Sequence, residues 1–144
     1  SAPNAGFTAD DIKPWMRVNT SASEGINVQD ENEDINSVLS FWRKMLRVRK
    51  EHAEMLVHGI FKLVDEGNEK VFSFVKTRGD GKSKALVVCN FSDEESRVPG
   101  LEGVDLDEAK LVLDNVSGDG NDDTVDERKK QYLQPWEGRI YLLT

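Results

Sequence analysis

The chain has 144 residues, enough for one domain with a modest core. It carries 27 acidic and 19 basic side chains, a formal net charge of −8, in an ordinary soluble composition of 38% hydrophobic and 32% charged residues. Such a surface repels nucleic-acid phosphates and anionic lipid, and no apolar run approaches the roughly 18 residues of a membrane span, so neither nucleic acid nor membrane is an expected partner.

Residues 1 to about 35 show no sustained periodicity, and Pro3, Gly6, Pro14 and Gly25 interrupt any regular element. The stretch nevertheless holds Phe7, Ile12, Trp15, Met16, Ile26 and Val28. That apolar content predicts an ordered irregular loop lying on a surface rather than a disordered tail. Ser1 to Asp11 have neither the basic region nor the apolar stretch of an export leader.

Residues 36–56 form the clearest predicted helix. Asn36 or Ser37 supplies the N-cap, and Val38, Trp42, Met45 and Leu46 follow helical spacing. Phe41, Val48, His52 and Met55 widen this stripe beyond what a small sandwich covers, and Trp42 is expected in the core. The basic residues from Arg43 to Lys50 suit the C-terminal half of the helix dipole.

From residue 57 the period becomes two. Strands are predicted at Ile60–Val64, Val71–Val75, Ala85–Phe91, Lys110–Leu113 and Arg139–Leu143, with a short edge strand at Arg97–Pro99. Short strands separated by Gly and Asp turns predict an antiparallel β-sandwich. Residues 93–127 hold 13 of the 27 acidic residues and are expected to form long exposed connections.

Cys89 is the one cysteine, so no internal disulfide forms, and its apolar strand setting predicts a buried small hydrophobe. Asn19, Asn90 and Asn115 each open an Asn-x-Ser sequon, of consequence only in an exported protein. Residues 115–126 place oxygen-bearing side chains and Gly120 as in a calcium loop. They lack the bidentate Glu and the preceding helix, so a polar loop is the better reading and no metal is expected. Carboxylates are abundant, but no pair stands in an apolar setting of the kind glycoside hydrolysis uses. No Ser-His-Asp set, CxxC pair, HExxH or phosphate-cradling glycine loop occurs. Trp15 and Trp136 each follow proline and are candidates for stacking on sugar rings.

Five segments carry a resemblance. Pro3–Phe7 with Lys13-Pro14-Trp15, then Gly25–Val28, then Ser37–Leu46 ending in Arg49–His52, then Val87–Ser92, and finally Leu133–Tyr141 lie in an order and spacing that resembles the C-terminal end of glycoside hydrolase family 13 α-glucosidases. The likeness is to the maltase and isomaltase (oligo-1,6-glucosidase) type, fungal-like. It implies a mainly β fold. Residues 1–56 would be the end of the catalytic (β/α)8 barrel (the loop after its last strand plus its last helix), and 57–144 a C-terminal antiparallel β-sandwich of Greek-key type. It also implies a cytoplasmic retaining enzyme acting on maltose- and isomaltose-type α-glucosides, without cofactor or metal. The missing barrel is the implied partner, since the family's nucleophile, acid/base and third carboxylate come from earlier strands. No catalytic residue is therefore assigned in this chain, whose own role would be structural. Asn4 and Phe7 are implied to border the parent's sugar entrance. The alternatives are an autonomous carbohydrate-binding module and a non-catalytic interaction or immunogenic protein derived from the same family.

Overall fold

A computed structural model describes residues 3–100, 106, 108–116 and 130–143. The chain divides into two compact units, Ser1–Arg43 and Lys44–Thr144.

The first unit is built from short pieces. A 3₁₀ turn at Pro3–Gly6 and another at Thr20–Glu24 precede helix α1, Val28–Glu33. Asn19 caps the second turn by accepting from the Ser21 amide, and Gly25 ends it in the left-handed conformation at φ 92°. Asn27 caps α1, its Oδ1 accepting from the Asp30 amide at 3.0 Å. The expected irregular loop thus contains regular turns. The second turn and α1 are each held by an asparagine cap, and all three pieces are too short for periodicity to reveal.

Helix α2 spans Val38–Glu51 and the single turn α3 spans Ala53–Leu56. The expected continuous helix breaks at His52, whose φ of −110° and ψ of 32° leave the helical region. Ser37 is the N-cap: its Oγ accepts from the Ser40 amide at 3.1 Å and donates to the Glu31 carbonyl at 2.6 Å. Of the predicted apolar stripe, Val48 and Met55 are buried while Trp42 and Leu46 are exposed. Trp42 is therefore not a core residue of this chain, because the stripe is wider than the chain's own elements cover.

The second unit is sheet-rich. A five-stranded antiparallel sheet has the order β1-β2-β3-β7-β5, with β1 Ile60–Val64, β2 Val71–Thr77, β3 Lys84–Asn90, β5 Lys110–Asp114 and β7 Gly138–Leu143. A separate ribbon pairs β4, Ser96–Arg97, with β6, Tyr132–Leu133. The predicted edge strand at 97–99 thus begins one residue earlier, spans only two residues and belongs to this ribbon. Its partner β6 was not expected, because two residues carry no alternation. Inward-facing Val71, Val75, Leu86, Val88, Tyr141 and Leu143 form one core with Val98 and Leu133. Ser73, also fully buried on β2, is tolerated because its Oγ donates to the Val64 carbonyl at 2.8 Å.

Gly59 is the hinge into β1. A Cβ there would lie 2.3 Å from the Met55 carbonyl oxygen and 2.8 Å from that of Thr77, so only glycine fits.

Candidate functional site

Asn4 and Phe7 lie in a tightly wound N-terminal loop. Asn4, Ala5 and Gly6 have φ of 51°, 53° and 83°, three left-handed residues in succession. Asparagine and glycine accept this conformation readily, whereas Ala5 is strained by about 1–2 kcal/mol. The Asn4 side chain offsets that strain. Its Nδ2 lies 2.9 Å from Thr8 Oγ1, 3.0 Å from the Ala9 carbonyl and 3.2 Å from the Ile12 carbonyl. Thr8 Oγ1 in turn donates to the Ile12 carbonyl at 3.0 Å. Asn4 is therefore the fastening of the loop, and Phe7, 79% exposed, is the group it presents. The roles of Thr8 and Ile12 were not legible, because a hydrogen-bond hub between residues four to eight apart has no sequence period.

At the other end of the chain a second locked turn presents a tryptophan. Gln134–Glu137 is closed by the Glu137 amide donating to the Gln134 carbonyl at 3.1 Å. Pro135 occupies its second position, and Trp136 its third at φ 60°. This is the pattern of a type II turn, where glycine is usual. The Trp136 amide donates to the Ser92 carbonyl at 3.1 Å, and its own carbonyl accepts from Asn115 Nδ2 at 3.0 Å. Asn115 Oδ1 accepts from the Gly138 amide at 2.7 Å. Asn115, the first position of the suspected calcium loop, thus serves to brace this turn. The rest of that loop from residue 117 onward lies outside the described residues, as does much of the acidic connection at 93–127.

Beneath the turn sits a buried ion pair that sequence reading missed. Arg139 Nε donates to Glu137 Oε1 at 2.7 Å and Nη2 to Oε2 at 2.8 Å. Nη1 reaches the Tyr141 hydroxyl at 3.1 Å, Nη2 the Tyr132 carbonyl at 2.9 Å, and the Gln134 amide donates to Glu137 Oε2 at 2.6 Å. Burial pulls the guanidinium pKa down, but the bonds to Glu137 and Tyr141 outweigh it and leave the value raised. The signal available was Glu137 and Arg139 two apart at the start of a strand, which puts both on one face.

Asn90 closes the same end of the sheet. Buried at the end of β3, its Nδ2 donates to the Glu94 and Gln134 carbonyls at 2.7 and 2.9 Å. Its Oδ1 accepts from the Ser92 amide at 3.1 Å and the Ser92 hydroxyl at 2.7 Å. Cys89 is half-buried on β3, and burial raises its thiol pKa, which suits a packing role. Trp15 stands 96% exposed. Among the described residues no group of three or more His, Cys, Asp or Glu side chains is placed to hold a metal ion. None of their helices is long and apolar enough to cross a membrane.

Residues 1–59 match the family profile described as Alpha amylase, catalytic domain. The chain is 40% identical over 143 residues to Alpha-glucosidase MAL12 of Saccharomyces cerevisiae, covering 98% of this chain and 22% of that enzyme. It is 40% identical over 144 residues to Oligo-1,6-glucosidase IMA5 of the same yeast, with the same coverage. The Probable oligo-1,6-glucosidase 2 of Bacillus subtilis is 34% identical over 143 residues, covering 99% of this chain and 23% of that protein. Among solved structures, a MutB mutant in complex with the substrate sucrose superposes with a TM-score of 0.79 at 30% identity, covering 98% of this chain and 23% of that one. The Bacillus licheniformis trehalose-6-phosphate hydrolase TreA gives 0.76 at 26% identity, with 98% and 24% covered. The chain thus spans about a fifth of the length of the relatives it matches.

Proposed function

We propose that this chain, homologous along nearly its whole length to α-glucosidases and oligo-1,6-glucosidases of the α-amylase family, glycoside hydrolase family 13, is the C-terminal portion of such an enzyme. The observation that carries the reading is the 40% identity over 143 residues, 98% of this chain. The longer protein hydrolyses α-glucosidic bonds of maltose- and isomaltose-type sugars with retention, through a glycosyl-enzyme intermediate. Residues 1–56 complete its barrel and 57–144 form its C-terminal β-sandwich, the five-stranded sheet and the β4–β6 ribbon being the two layers. A family profile ending at residue 59, just where β1 begins, supports that boundary. The single cysteine, half-buried and unpaired, supports a cytoplasmic protein.

In this reading the chain supplies no catalytic carboxylate. Its contribution to the site is the Asn4 loop, which holds Phe7 at the sugar entrance where active sites of such barrels form, at the C-terminal ends of the strands. Phe7→Ala in the longer enzyme is expected to raise KM for isomaltose about tenfold with kcat nearly unchanged, a loss of uniform binding. Asn4→Ala, which releases the loop, lowers kcat/KM further and lowers kcat as well. Steady-state kinetics on both variants, beside the 144-residue chain alone as a control expected to show no turnover, tests the proposal. Wild-type kinetics in both variants would remove Asn4 and Phe7 from the site. Maltose turnover by the chain alone would overturn its structural role.

A further inference from the structure

The Gln134–Glu137 turn keeps an indole in solvent under strained geometry. Trp136 is 60% exposed in this chain, so none of the chain's own elements buries the ring. Its φ of 60° is a conformation that bulky residues avoid and that glycine adopts freely. Every bond that closes the turn runs through backbone atoms or through Asn90, Asn115, Glu137 and Arg139. All of those bonds would persist with glycine at 136. The fold therefore fixes the backbone from several sides, and none of these bonds uses the ring. Strained residues held in this over-determined way are concentrated at ligand-binding positions.

The surroundings define a ligand class. Phe91 is a second exposed ring, one residue before the Ser92 carbonyl that anchors Trp136. The segments that carry the two rings also carry polar side chains: Ser92, Glu95 bonded to Gln134 Nε2 at 3.2 Å, and Glu94 paired with Lys70. An exposed indole on a fixed backbone offers stacking for the C–H face of a pyranose, and the hydroxyl, amide and carboxylate side chains of the neighbouring segments are of the kind that bond its hydroxyls. These carboxylates and the net charge of −8 disfavour anionic ligands and leave neutral sugars.

We propose that Trp136 is the stacking platform of a carbohydrate-binding site at the β3–β7 end of the sheet, taking neutral α-glucosides. The site follows from the geometry, and its α-glucoside class rests on the family reading above. A single exposed ring as the main contact sets the expected affinity at a dissociation constant on the order of 1 mM.

The test is a titration of the ¹⁵N-labelled 144-residue chain with maltose and isomaltose. It follows the indole N–H signals, that of Trp136 being identified by its absence from Trp136→Gly. The Trp136 signal is expected to shift saturably, and Trp136→Gly to weaken binding at least tenfold by calorimetry. Trp136→Gly relieves the turn, so its thermal midpoint should stay within a degree or two of wild type or rise. Its lost binding is then not lost folding. Trp15→Ala should bind as wild type does. An unmoved Trp136 signal, or full affinity in Trp136→Gly, overturns the site. Hydrolysis by the longer enzyme is measured separately. Trp136-dependent binding without hydrolysis would leave the site standing and remove only the enzyme reading.

Discussion

Glu137 and Arg139 form a bidentate pair with side chains 3% and 7% exposed, directly under the Trp136 turn. Removing one partner strands a buried charge. Glu137→Leu is expected to cost about 3–5 kcal/mol, read from urea unfolding of the chain. Replacing both, as Glu137→Leu with Arg139→Met, should recover most of that loss, because the surviving charge no longer has to be desolvated alone. A double variant as unstable as the single one would mean that the bonds from Arg139 to Tyr141 and the Tyr132 carbonyl matter more than the pair itself. Asn4 works in the opposite setting, at an exposed loop, where its amide compensates strain at Ala5 rather than burial.

Between elements, the most demanding junction is Gly59, where α3 turns into β1. Gly59→Ala forces a methyl group against two carbonyl oxygens at 2.3 and 2.8 Å, which backbone must move to relieve. It is expected to destabilise the chain by about 2–3 kcal/mol, seen as a lowered urea midpoint at unchanged slope. A neutral result would show that the α3–β1 connection shifts freely. Elements with a strong period were legible from the residues alone. Strand β1 was predicted at its observed bounds, and β2, β3, β5 and β7 to within two residues, because Val, Phe and Leu alternate there over four residues or more. Strand β6 and its pairing with β4, the break at His52 and the short helix α1 were not. Two-residue strands and six-residue helices are selected by tertiary pairing and by caps such as Asn27 rather than by pattern. The exposed tryptophans were visible as candidates beside prolines. The positive φ of Trp136 was not, since a Trp in place of the expected Gly hides the turn type.

At the scale of the molecule the two units are unequally built. Among the described residues, all the buried hydrophobic ones, from Val48 to Leu143, fall in the unit Lys44–Thr144. Among the described residues, the unit Ser1–Arg43 has none. Instead it displays Phe7, Ile12, Trp15, Met16, Ile26 and Val28 to solvent. Local stability follows buried apolar contact. Amides of β2, β3 and β7 are therefore expected to exchange at least 100-fold more slowly than those of residues 3–36, measured by hydrogen exchange and mass spectrometry. Equal protection in both units would mean that the first is covered in solution, as by self-association of its apolar surface, which sedimentation would detect.

Asn90 carries one further consequence, for where such a chain can be made. Its amide nitrogen is the atom to which a secretory cell's oligosaccharyltransferase would attach a glycan, since Asn90-Phe91-Ser92 satisfies the acceptor rule. In the folded chain that nitrogen is buried and committed to two carbonyls, out of the enzyme's reach. During translocation, however, the transferase meets the polypeptide before β3 and β7 have paired. A glycan added then would occupy the space in which Asn90 ties Glu94 to Gln134, and the sheet end under Trp136 would not close. Biogenesis in a compartment without that transferase avoids the conflict, so an expression host that exports the chain should yield it either unmodified at Asn90 or misfolded.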